Sequence, residues 1–95
     1  MNELTIRNEF YEDKYYVKCN TYCFNDWDRL NSTIANYVGI TTRKVNKLIR
    51  NNNGTITTTS QRGAGYQSHS FDNVDDCQKF LDELTPYLIM KKLTC

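Results

Sequence analysis

Two short amphipathic stretches separated by one glycine constrain this chain more than any other feature of it. Trp27, Leu30, Ile34 and Val38 recur at helical spacing, and Asn25 or Asp26 is a good cap for a helix over residues 26–38. Gly39 stands where a helix C-terminus needs a left-handed residue. Thr41 or Thr42 then caps a second helix that ends near Arg50. Its apolar positions, Val45, Leu48 and Ile49, fall on one face only, and the opposite face carries Arg43, Asn46, Lys47 and Arg50.

β-type patterning flanks this helical pair on both sides. Residues 4–8 read as a strand with Leu4 and Ile6 on one face, and a turn follows at Glu12 and Asp13. Residues 14–20 alternate Tyr15, Val17 and Cys19 against polar partners, which completes a β-hairpin. Asn51-Asn52-Asn53-Gly54 is a turn signal. The Thr- and Ile-rich stretch 54–60 and the stretch 66–71 read as a second hairpin around a polar, glycine-rich turn at 61–65. A last helix begins near Asn73, with Cys77, Phe80, Leu81, Leu84 and Leu88 on one face. Pro86 either kinks it or, with Thr85 as cap, starts a short second helix. The expected fold class is α+β in the order ββααββα, a small single domain over residues 1–95. The apolar content of 39% suffices for one modest core.

The formal net charge is only +1, yet it is unevenly distributed. Residues 1–28 hold six acids against three bases, and residues 72–95 hold five acids against three bases. Between them, residues 29–71 contain six bases (Arg29, Arg43, Lys44, Lys47, Arg50 and Arg62) and no acid. Such segregation in a near-neutral chain reserves one surface for an anion, and nucleic acid is the commonest polyanion that demands it.

Other classes find less support. Aromatic content of 13% argues against disorder, and there is no run of 18 apolar residues to span a membrane. No basic region followed by an apolar stretch marks a signal peptide, so a cytoplasmic location is expected. Cys19, Cys23, Cys77 and His69 are a conceivable zinc set, but only one short-spaced ligand pair is present, and reduced thiols are the expectation. His69 has no matched carboxylate and nucleophile and reads as structural. Asp75 and Asp76 open a helix, where acids favour the dipole. No Gly-rich phosphate loop occurs. The chain is expected not to be an enzyme, and to carry no metal and no cofactor.

The segment Ile34-Ala35-Asn36-Tyr37-Val38-Gly39-Ile40-Thr41-Thr42-Arg43-Lys44-Val45-Asn46-Lys47-Leu48 resembles the helix-turn-helix of DNA-binding proteins. Ala35 is the small residue where the helices approach, Gly39 accepts positive φ in the turn, and Val45 is the compact inward residue of the second helix. The resemblance covers residues 31–50. It implies that the second helix lies in a major groove, with Thr41, Thr42, Arg43, Asn46 and Lys47 at the base edges. Arg43 would pair with guanine and Asn46 with adenine, both bidentately. Lys44 and Arg50 would reach phosphates, as Lys47 also could. The second hairpin, residues 54–71, resembles the wing of winged helix-turn-helix proteins, with Gln61 and Arg62 at its tip for phosphate or minor-groove contact and Ser60 and Gln67 for further neutral contacts to sugar and phosphate.

The stretch Phe80-Leu81-Asp82-Glu83-Leu84-Thr85-Pro86-Tyr87-Leu88-Ile89-Met90-Lys91-Lys92 is similar to the closing helix of LAGLIDADG homing endonucleases. The order ββαββα matches one of their half-domains without the first helix, which carries the metal-binding acid. That implies a chain that keeps the DNA-reading part and lacks the nuclease. The expected function is sequence-specific binding of double-stranded DNA, as the recognition domain of a phage or mobile-element replication initiator, transcription regulator or homing-type nuclease. A homodimer through the C-terminal helix is expected, with Tyr87, Ile89, Met90 and Leu93 surplus to one small core. The alternative is a phage-encoded inhibitor that docks on a protein through the basic face.

Overall fold

The computed structural model describes residues 5–20, 27–61 and 64–94. The elements are β1 (Ile6–Tyr11), β2 (Lys14–Asn20), β3 (Trp27–Asp28), α1 (Asn31–Val38), α2 (Thr42–Asn51), β4 (Thr55–Gln61), β5 (Ala64–Ser70) and α3 (Val74–Thr94). The order ββααββα holds, with one short strand added before the first helix. The strands form a three-stranded antiparallel sheet, β1-β2-β3, and a separate hairpin, β4-β5.

The first hairpin runs further than residues 4–8 foretold. Glu12 and Asp13 take φ of 49° and 64°, the two left-handed angles of a tight hairpin turn. Tyr11 therefore pairs directly with Lys14, and the strand continues to the turn. Val17 and Cys19 point into the core, and Phe10 stacks on Tyr15 at 4.9 Å.

The first helix is shorter than residues 26–38. Trp27 and Asp28 pair instead with Asn20 and Cys19 of β2. The Asp28 carboxylate then takes up the helix entry, accepting from the Leu30 N–H at 2.8 Å and from the Thr33 hydroxyl at 3.1 Å. Helix propensity across 27–30 loses to strand pairing and to this local capping. The buried face of α1 is Asn31, Ile34, Ala35, Tyr37 and Val38.

Gly39 ends α1 at φ 81°, and the N–H groups of Gly39 and Ile40 both donate to the Ala35 carbonyl at 2.9 Å. Thr41 caps α2, its hydroxyl accepting from the Lys44 N–H at 3.1 Å. At the other end Asn52 donates to the Leu48 carbonyl at 2.8 Å and to the Glu83 carboxylate on α3. Gly54 follows where there is no room for a side chain. An added Cβ would lie 2.6 Å from Ile49 Cγ2 and 2.7 Å from the Phe71 ring.

The second hairpin pairs without a break from Thr55↔Ser70 to Gln61↔Ala64, so its strands reach beyond 60 and before 66, where a five-residue turn was expected. Tyr15 and Phe71 exchange two backbone hydrogen bonds of 2.9 Å, which stitches the two sheets together. α3 crosses behind them as one helix. Cys77, Phe80, Leu84 and Leu88 are buried, and Pro86 sits on the exposed side, where water can serve the carbonyl left without its N–H partner. Each large apolar side chain so buried stabilises the fold by about 1.5–3 kcal/mol.

Candidate nucleic-acid interface

On the apolar side of α2, Val45 and Ile49 are both 0% exposed and Leu48 is partly buried beside them. Helical geometry then turns the other side outward. Arg43, Lys44, Lys47 and Arg50 are all exposed there. Among the described residues, none of the four pairs with a carboxylate. Neither α1 nor α2 has an acid in its first turn. Thr41, Arg43, Lys44 and Lys47 together border a hollow of about 340 Å³ at the start of α2. Arg50 lies in the last turn.

Not every base of the acid-free segment joins this face. The Arg29 guanidinium lies over the rings of Tyr16, at 4.4 Å, and Tyr11, at 5.6 Å, on the first hairpin. Arg62, and the side chain of Gln61, lie outside the described residues.

Asn46 is the expected site residue whose side chain is bonded into the fold. Its Oδ1 accepts from Asn31 Nδ2 at 3.0 Å, and its Nδ2 donates to Gln67 Oε1 at 3.0 Å. A bidentate pair with adenine uses the oxygen and the amino group of one amide together, and here each already makes one bond within the fold, which fixes the orientation of the amide. Thr42 is set apart as well. It is half-buried and borders a second hollow, of about 380 Å³, with Ser32, Thr58, Gly65 and Gln67.

The hydrogen bonds of Asn46 continue inward. Asn31 Oδ1 is 3.0 Å from His69 Nδ1, and His69 Nε2 is 2.9 Å from the backbone nitrogen of Val17. A backbone N–H can only donate, so Nε2 accepts and Nδ1 carries the proton given to Asn31. Burial pushes the His69 pKa down to about 4, which keeps the ring neutral as this arrangement requires. His69 also meets Phe80 at 5.5 Å and Phe71 at 5.9 Å, edge to face. It is buried and hydrogen-bonded within the fold. Asn31 was not foreseen, and Gln67 was foreseen only as a neutral contact to sugar and phosphate, not as the partner of Asn46; both left signals. Asn31 falls in the stripe of Ile34, Ala35 and Val38, a polar residue at an apolar position. Gln67 shares a strand face with His69 and Phe71.

The cysteines do not form a metal site among the described residues, where no group of three His, Cys, Asp or Glu is so arranged. Burial pushes the thiols of Cys19 and Cys77 up to about 12, so both stay protonated, and Cys19 donates to the Asp28 carbonyl at 3.6 Å. Cys23 lies outside the described residues. No described helix is long and apolar enough to cross a membrane. On α3, Ile89 and Met90 are exposed while Tyr87 is half-buried, and the side chain of Leu93 lies outside the described residues.

No family model matches this chain, and neither a curated protein nor a solved structure does.

Proposed function

We propose that this protein binds double-stranded DNA sequence-specifically, through α2 and the hairpin β4-β5 that follows it. The observation that carries this reading is the outer side of α2. Four cations stand exposed there without carboxylate partners among the described residues, on a helix whose inner side is locked into the core. Desolvating unpaired cations against an uncharged surface is costly, whereas phosphates return their charge and release counterions. A helix held at one side and basic at the other, with a hairpin beside it, has the shape for a major groove. Arg43 is the base-reading cation, with Thr41 and Lys47 beside it, and Lys44 and Arg50 take phosphates. The chain acts as the recognition domain of a replication initiator, regulator or homing-type nuclease of a phage or mobile element, and not as an enzyme itself. A second copy, meeting through Ile89 and Met90 of α3, would bind a paired half-site.

A binding selection on randomised duplex DNA, repeated at low and moderate salt, tests this. The expected result is an enriched motif whose affinity falls steeply as salt rises. A palindrome or repeat in the motif would reveal the dimer. No duplex binding at low salt would overturn the reading and make the basic face a docking surface for an acidic protein.

A further inference from the structure

The hydrogen-bonded series Val17–His69–Asn31–Asn46–Gln67 crosses the molecule from β2 to the surface, and it has a direction. The Val17 N–H donates to His69, His69 to Asn31, Asn31 to Asn46, and Asn46 to Gln67. Each group accepts from the one before it and donates to the one after. At the end, Gln67 Oε1 is occupied and the Nε2 amino group has no partner among the described residues. One backbone N–H in the core thus decides that the surface amide shows its donor end. Gln67 lines the 380 Å³ hollow between the starts of α1 and α2 and the hairpin, together with the hydroxyl residues Ser32, Thr42 and Thr58. None of these groups is charged.

We infer that Gln67 is a contact residue of the DNA interface, donating from Nε2 to a hydrogen-bond acceptor of the duplex in this hollow, and that Asn46 is its positioning residue. This rests on the duplex reading above and deepens it. Asn46 has its amide held at both ends by Asn31 and Gln67; it acts by holding the Gln67 oxygen and so turning the amino group outward. The acceptor is either a backbone phosphate oxygen or an acceptor atom on a base edge. Both are chemically suited to an N–H donor, and the two leave different marks on binding.

The test is fluorescence anisotropy on the selected duplex with four proteins: unsubstituted, Gln67→Met, Asn46→Ala and the double variant, each checked by thermal melting. Gln67→Met keeps the length of the side chain and removes its donors. It is expected to bind about fivefold to tenfold more weakly. The salt dependence should stay unchanged, because no cation is lost. Asn46→Ala is expected to weaken binding by a similar factor, and the double variant to be no more than about twofold weaker than either single one. Against single-base variants of the site, lost discrimination at one position means that the acceptor is a base edge. Equal weakening on every variant means that it is a phosphate. Undiminished affinity of a folded Gln67→Met would overturn the contact role. Additive losses in the double variant would overturn the positioning of Gln67 by Asn46. If the unsubstituted protein binds no duplex, the DNA reading falls and the role of Gln67 with it; if it binds and Gln67→Met matches it, only the role of Gln67 falls.

Discussion

On its inner side α2 presents Val45 and Ile49 to the core, and through Asn46 it joins a series of neutral amides and one neutral imidazole. On its outer side stand Arg43, Lys44, Lys47 and Arg50, exposed and without carboxylate partners among the described residues. The inner side leaves no buried polar side-chain atom without a hydrogen bond among the described residues. Its buried interactions are complete within the chain and stabilise the fold, and only the amino group of Gln67, at the surface end of that series, is left to a ligand. The outer side is the reverse, because its cations contribute little to folding and keep their charge for something else. One helix thus separates the groups that determine stability from those that determine binding, and substitutions on its two sides should fail in different ways.

The largest expected break comes from filling the closest approach behind α2. Gly54→Ala places a Cβ within 3 Å of Ile49 and of the buried Phe71 ring, and should destabilise the fold by about 3 kcal/mol. Chemical denaturation measures this, and a loss below about 1 kcal/mol would mean that the inner side tolerates repacking.

Acid attacks the inner side through His69. Its pKa is about 4 in the folded protein and near 6.5 in the unfolded chain. Between those values only the unfolded chain takes up the proton. The contribution of His69 is therefore full above about pH 6.5 and is lost as pH falls towards 4, by about 3 kcal/mol in all. Unfolding free energies measured across this range should show the loss, and His69→Gln should flatten it. An equal acid limb in both proteins would assign the effect to carboxylates instead.

Gly39→Val strains the turn between α1 and α2 and not its packing. The φ of 81° resists a β-branched residue, while a Cβ there would meet only Lys91 Cδ at an ordinary 3.7 Å. The expected loss is about 2 kcal/mol, with Gly39→Asn losing less. Equal melting temperatures for the two variants would remove the left-handed angle as the cause.

The smallest effect on stability belongs to the outer side. Lys44→Ala should change the unfolding free energy by no more than about 0.5 kcal/mol, while lowering the salt slope of DNA binding by about 1. A loss of stability comparable to that of Gly39→Val would erase the distinction between the two sides.

Much of this molecule is written in local pattern. The apolar spacing of Ile34, Val38, Val45 and Ile49, the cap at Thr41 and the glycine at 39 specify the helical pair without help from the rest of the chain, because capping and periodicity act within a few residues. The basic outer face follows from them, since any helix with Val45 and Ile49 buried must expose Arg43, Lys47 and Arg50. Three features depended on partners distant in sequence. Residues 27–28 became a strand because β2 offered an edge to pair with, and Asp28 became the group that accepts at the entry of α1. Gly54 reads as a turn residue, yet its decisive property is that Ile49 and Phe71 close over it. Asn46 looked free to meet a ligand, as any polar residue on the flank of a helix does. Only the meeting of α1, α2 and β5 engaged its amide with Asn31 and Gln67. The sequence by itself determined which groups could face outward, because periodicity is a property of neighbours. Tertiary structure decided which of those groups remained unpaired, because a hydrogen-bond partner can come from anywhere in the chain.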